Sequence, residues 1–208
     1  MRDWTISLKL YRCFSSTNRY SPSGIAAFAC GAAVTGATFA LLPVGDAIVS
    51  LPLLWGLTFL AAIDMRTHTL PDAITLPLLI LGVLVSALGF GPPMIHSVSG
   101  AIAGYASLAL IAFSYRRMRG RDGLGLGDAK LLAALGAWAG VAVLPQILLI
   151  AALLGLGFAA VCAIRMRLRV NDAMPFGPFL AISGYCAFVS TRSPMIVTNL
   201  FSMFTQAS

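Results

Sequence analysis

Apolar residues in this chain do not alternate with polar ones at a helix or strand period. They come in long unbroken runs: residues 20–45, 47–63, 73–115, 131–164 and 173–191 carry no charge. A helix that crosses a bilayer needs about 20 mostly apolar residues, so these runs predict membrane spans. Gly24 to Pro43 makes a first span and residues 47–63 a second, ending at Asp64. The run 73–115 is too long for one crossing. Gly89-Phe90-Gly91-Pro92-Pro93 divides it, because paired prolines cannot continue a helix, giving spans near 73–90 and 95–115. Residues 131–164 break at Leu144-Pro145-Gln146 into two more, and 173–191 supply a seventh. The expected fold is an all-α polytopic membrane protein of about seven transmembrane helices. It divides into an arm (1–20), a membrane-embedded domain (21–192) and a short tail (193–208).

Composition agrees. Of the 208 residues 59% are hydrophobic and 10% charged, against roughly 25% charged in soluble domains, and mean hydropathy is +0.89. The net charge of +7 would suit nucleic acid until its placement is considered. With the N-terminus in the cytoplasm, thirteen of the fourteen Lys and Arg residues fall on the cytoplasmic side, and Arg192 alone falls outside. That bias is the positive-inside signature. It explains the basic residues by topology and leaves no reason to invoke nucleic acid. The apolar stretch after residue 20 exceeds a signal-peptide core, so it reads as a retained span. Cys13, Cys30, Cys162 and Cys186 form no CxxC pair and read as buried small hydrophobes. No metal-ligand cluster and no cofactor motif is legible.

All seven acidic residues are aspartate. Mechanisms that need glutamate are therefore excluded, among them HExxH zinc proteolysis. The predicted topology puts Asp64, Asp72, Asp122, Asp128 and Asp172 on the cytoplasmic side and Asp46 outside. Two lie deep. The uncharged run from Leu131 to Leu144 is only 14 residues, so its helix must begin earlier, near Asp128. Asp64 closes the second span. Ionisable groups at membrane depth are costly and tend to mark function. Asp128 at a helix start gains from the helix dipole, whereas Asp64 at a helix end does not. Asp72, after Pro71, reads as a helix N-cap. The glycines Gly123, Gly125 and Gly127 leave room for close backbone approach; the GxxxxGK[ST] phosphate loop is not met. Gly100 with Gly104, and Gly136 with Gly140, have the spacing of helix-packing faces.

These same residues carry a family resemblance. Ile63-Asp64 followed by Thr69-Leu70-Pro71-Asp72 resembles the first signature of bacterial prepilin peptidases. Gly125-Leu126-Gly127-Asp128-Ala129-Lys130-Leu131-Leu132 resembles the second, GxGDxK, and Phe176-Gly177-Pro178-Phe179 is similar to a third element. The likeness covers about residues 45–190. It implies an intramembrane aspartic peptidase of the inner membrane with Asp64 and Asp128 catalytic. Such enzymes cleave the basic leader of type IV prepilin or pseudopilin precursors on the cytoplasmic side, typically after glycine. Gly125, Gly127, Asp72 and Lys130 are then motif or substrate-contact residues. Many members also methylate the new terminus with S-adenosylmethionine, through a domain with paired CxxC motifs that bind zinc. The first 20 residues here cannot hold that domain, so the resemblance implies a peptidase without the methyltransferase.

The chemistry of the residues agrees with it. Two carboxylates facing one water cannot both be ionised easily. The ionised one takes a proton from water and the protonated one polarises the scissile carbonyl. Helix position points to Asp128 as base and Asp64 as the protonated partner. Lys130 either steadies Asp128 or snorkels to headgroups. The glycine run is expected to pair with an extended substrate segment. The alternatives are a non-catalytic membrane scaffold and a small proton-coupled transporter; the latter would need carboxylates near the membrane midplane. The oligomeric state, and the pilus or secretion system that supplies the substrate, are left open.

Overall fold

The computed structural model describes residues 23–119, 125–166 and 175–193. The N-terminal arm, the tail beyond residue 193, and Asp3, Asp122, Gly123 and Asp172 lie outside them. The described residues form seven α-helices: α1 (Ser23–Leu41), α2 (Val44–Thr67), α3 (Asp72–Ala87), α4 (Met94–Arg119), α5 (Leu126–Ala139), α6 (Leu144–Met166) and α7 (Gly177–Arg192). A single 3-10 turn, Val141–Val143, joins α5 to α6. Three segments are long and apolar enough to cross a membrane: Val44–Thr67, Met94–Met118 and Val141–Cys162. Many of their large side chains, such as Ile102, Leu110, Leu153 and Leu156, stay exposed on the outer faces. That surface suits lipid rather than water.

The element breaks follow the sequence with one shift. The Gly89–Pro93 break lies where the prolines predict it. The break before α6 does not fall at Pro145. It falls at Gly140, whose φ of 87° ends α5; only glycine adopts that backbone without strain. Pro145 instead occupies the first turn of α6, where a missing N–H costs nothing. As a result α5 starts before Asp128, as expected, yet still spans only 14 residues, about 21 Å at 1.5 Å per residue.

This short helix is the centre of the bundle. Ala129, Leu131 to Ala137 and Trp138 are all buried, packed by α3, α4 and α7. Inside lipid, apolar burial alone does not draw helices together; close packing and interhelical hydrogen bonds do. Both are present. Gly100 of α4 and Gly136 of α5 meet backbone to backbone, and a Cβ on Gly104 would lie 2.6 Å from the Leu132 carbonyl oxygen. Ser97 Oγ donates to the Ala137 carbonyl at 2.7 Å and Trp138 Nε1 to the Leu78 carbonyl at 2.8 Å. Of the two glycine pairs read as packing faces, Gly100, Gly104 and Gly136 are packing residues, while Gly140 is a helix terminator. The cysteine expectation is also corrected in part. Cys162 is buried, but Cys30 and Cys186 are exposed on the apolar exterior, because an uncharged small residue serves a lipid-facing surface as well as a core.

The polar side chains gather at the two ends of the bundle. At one end Arg192, in the last turn of α7, reaches Asp46 in the first turn of α2 (Nη1 to Oδ1 2.7 Å) and donates to the Phe90 carbonyl. At the other end lie Asp64, Asp72, Asp128, Lys130 and the start of α7.

Candidate active site

Asp64 stands in the last turn of α2, one turn further from the helix end than its place at the close of an uncharged run suggests. The helix stops at His68, which takes the left-handed conformation (φ 51°, ψ 31°) and donates its N–H to the Asp64 carbonyl at 2.9 Å. The chain then turns through Thr69-Leu70-Pro71 into α3. Asp128 is the third residue of α5; its N–H bonds back to the Gly125 carbonyl at 3.1 Å. Both carboxylates are buried, with 5% and 8% of their surface exposed. They lie close enough for their charges to act on each other. Two ionisable groups of one sign, buried together at the end of a bundle, are a costly arrangement that packing alone does not require.

Asp64 has a partner that the sequence did not reveal. The backbone N–H of Gly177 donates to Asp64 Oδ2 at 3.0 Å in a buried contact. Gly177 opens α7, where the first amides lack intrahelical acceptors. Asp64 is thus at the C-terminal end of its own helix but at the N-terminal end of another. Each carboxylate has a helix N-terminus beside it, so helix position no longer separates a base from a protonated partner, and the assignment expected from the sequence falls with its premise.

Lys130 pairs with Asp72 rather than with Asp128. Its Nζ lies 2.7 Å from both carboxylate oxygens of Asp72, tying the second turn of α5 to the first residue of α3. Asp72 is not an N-cap: Pro71 holds that position and no side chain caps the helix. Gly127 packs under the connecting turn, where a Cβ would meet Leu70 Cβ at 3.0 Å. The chain that comes close to this glycine is therefore the protein's own. Gly125 by contrast is open; a Cβ there would meet only Asp128 Oδ2, at 3.8 Å, and the Gly127 nitrogen.

An apolar cleft of about 280 Å³ adjoins this end of the bundle, lined by Ala152, Gly155, Leu156 and Ala159 of α6 with Pro175, Phe176 and Phe179 around the start of α7. It holds neither aspartate, but Phe176 directly precedes Gly177.

The described residues thus form an apolar helical bundle of the membrane-protein class with two buried aspartates at one end. Comparison with known proteins narrows the class. Residues 51–160 match the family model described as the type IV leader peptidase family, and the chain belongs to that family. It is similar to prepilin leader peptidase/N-methyltransferases of Burkholderia pseudomallei strain 1026b (46% identical over 156 residues, 75% of this chain and 50% of that protein) and Pseudomonas putida (46% over 145 residues, 68% and 49%). That of Dickeya chrysanthemi is 48% identical over 130 residues, 62% of this chain and 46% of its own. The chain thus spans about half the length of the curated relatives it matches. No solved structure matches it significantly.

Proposed function

We propose that this chain is the peptidase that removes the leader from type IV prepilin-like precursors, with Asp64 and Asp128 as its catalytic pair. The single observation that carries the reading is the burial of these two carboxylates, from the end of α2 and the start of α5, at one end of the bundle and within range of each other's charge. The prepilin leader peptidase names of the relatives support the substrate class. The pair shares one proton and acts as a unit. One carboxylate takes a proton from the attacking water while the other donates to the carbonyl oxygen of the scissile bond. Collapse of the tetrahedral intermediate returns a proton to the departing amine.

The basic residues favour the cytoplasmic face for this end; this supports a multi-pass protein of the inner membrane whose site meets a basic leader before it crosses. A proton relay would want its carboxylates near the helix midpoints, whereas Asp64 is in a last turn and Asp128 in a first turn.

The test is co-expression with candidate prepilins and a gel shift for leader removal. Wild type cleaves at least one precursor; Asp64→Asn and Asp128→Asn each lose about three orders of magnitude in rate, and the double variant loses no more than either. Full cleavage by either single variant would overturn the dyad.

A further inference from the structure

Gly177 occupies an unusual position for a glycine at a helix start. Its φ is not in the left-handed region, where Gly89 and Gly140 alone fall among the described glycines, so backbone conformation does not demand it. Glycine at such a place costs entropy and adds no contact. What demands it is space: a Cβ at residue 177 would stand 2.7 Å from Asp64 Oδ2, 3.0 Å from its Cγ and 3.3 Å from its Cβ. The three nearest atoms all belong to Asp64. The same residue donates its N–H to that carboxylate at 3.0 Å, across 113 positions of sequence.

We propose that Gly177 is a positioning residue for the peptidase reaction, its bare backbone both making room for the Asp64 carboxylate and fixing its rotation through one N–H bond. This rests on the reading of Asp64 as a catalytic carboxylate. One of the two Asp64 oxygens is committed to α7, which leaves the other for the reaction. The start of α7 thereby becomes part of the catalytic frame without touching substrate. Gly177, Pro178 and Leu180 are all buried, so the start of α7 is held in place by its packing. The short Asp64 side chain is what yields. The substitution therefore acts on the chemistry before it acts on the fold.

The test compares purified Gly177→Ala, Gly155→Ala and Asp64→Asn with wild type on an unprocessed prepilin that the wild type cleaves. Gly155 lines the neighbouring cleft, and a Cβ there meets Phe179 only at an ordinary 3.6 Å. The expected result is a loss of about a hundredfold in kcat for Gly177→Ala, with KM and melting temperature near wild type and the pH–kcat profile displaced. Gly155→Ala keeps wild-type kcat. Wild-type kcat and an unmoved pH profile in Gly177→Ala, alongside an inactive Asp64→Asn, overturn the positioning role and leave the peptidase reading intact. An active Asp64→Asn overturns both. Should Gly177→Ala not fold, 15N-glycine-labelled protein decides: the Gly177 amide resonance shifts and its hydrogen exchange quickens on Asp64→Ala if the bond is made, and an unaltered resonance overturns it.

Discussion

Lys130 and Asp72 join the two signature segments of the chain: the ammonium of one, in the second turn of α5, lies 2.7 Å from both oxygens of the other at the start of α3. The pair is partly open, with 30% and 54% of the side chains exposed. Such pairs contribute about 1 kcal/mol or less to stability. Their role here is register: they hold the first turn of α3, and through it the turn after Asp64, against the helix that bears Asp128. Lys130→Met and Asp72→Asn should each lower the peptidase rate several-fold with a small change in melting temperature. The exchanged double variant, Lys130→Asp with Asp72→Lys, should recover part of it. A rate restored no better than in the single variants would mean that each charge meets substrate separately.

Gly127 and Gly125 separate in the same way. Valine at 127 would press on Leu70 and displace the turn that links Asp64 to Asp72; overpacking of this kind costs about 1–3 kcal/mol. We expect Gly127→Val to lower both melting temperature and rate. Gly125→Ala meets no close neighbour beyond the adjoining Asp128 side chain and residue 127, so it should keep the wild-type melting temperature. Its rate decides whether a substrate strand runs along this glycine: a fall in kcat/KM with unchanged stability favours it, and an unchanged rate removes the idea.

Much of this layout is legible in the uncharged runs, because charge and proline punctuate a membrane chain more sharply than any period does. Asp64 and Asp128 stand out for the same reason: an acidic group at the edge of an apolar run is conspicuous. The misreadings have physical causes. Pro145 looks like a break and is a helix start, since the left-handed Gly140 ends the preceding helix first. The Gly177 contact links residues 113 positions apart, and the Arg192 contact with Asp46 links residues 146 apart; nothing in local pattern encodes either. The signal that could have found Gly177 was a glycine at a helix start with a proline after it, a position where glycine has no local advantage. For Lys130 the sequence offers Asp128 or the lipid headgroups, whereas the fold brings Asp72 of α3 to it.

The contact between α4 and α5 makes a sharper claim on stability than any polar group. Gly100 and Gly136 leave no room for a side chain on either helix. Gly100→Leu or Gly136→Val should separate the helices, remove the Ser97 hydrogen bond to the Ala137 carbonyl with them, and abolish the folded state in detergent. Gly36 and Gly45 have open space around them among the described residues, so alanine at either should leave the stability within about half a kcal/mol of wild type. Equal melting curves for Gly136→Val and Gly36→Ala would show the close approach to be dispensable.

Arg192 offers the converse case, a stabilising contact remote from the chemistry. Its guanidinium holds Asp46, donates to the Phe90 carbonyl and lies over the Phe188 ring, 5.1 Å from the centroid. Three connections at the end opposite the aspartate pair are thereby clasped: the start of α2, the turn after α3 and the end of α7. Arg192→Met leaves Asp46 without its ion pair and loses the cation-π contact, together about 1–2 kcal/mol. The melting temperature should fall while kcat per folded molecule stays at the wild-type value, because the residues this arginine holds, Asp46, Phe90 and Phe188, lie away from the aspartate pair. A loss of kcat at unchanged stability would mean that the tilt of α7, set at Arg192, is transmitted along the helix to Gly177 and so to Asp64.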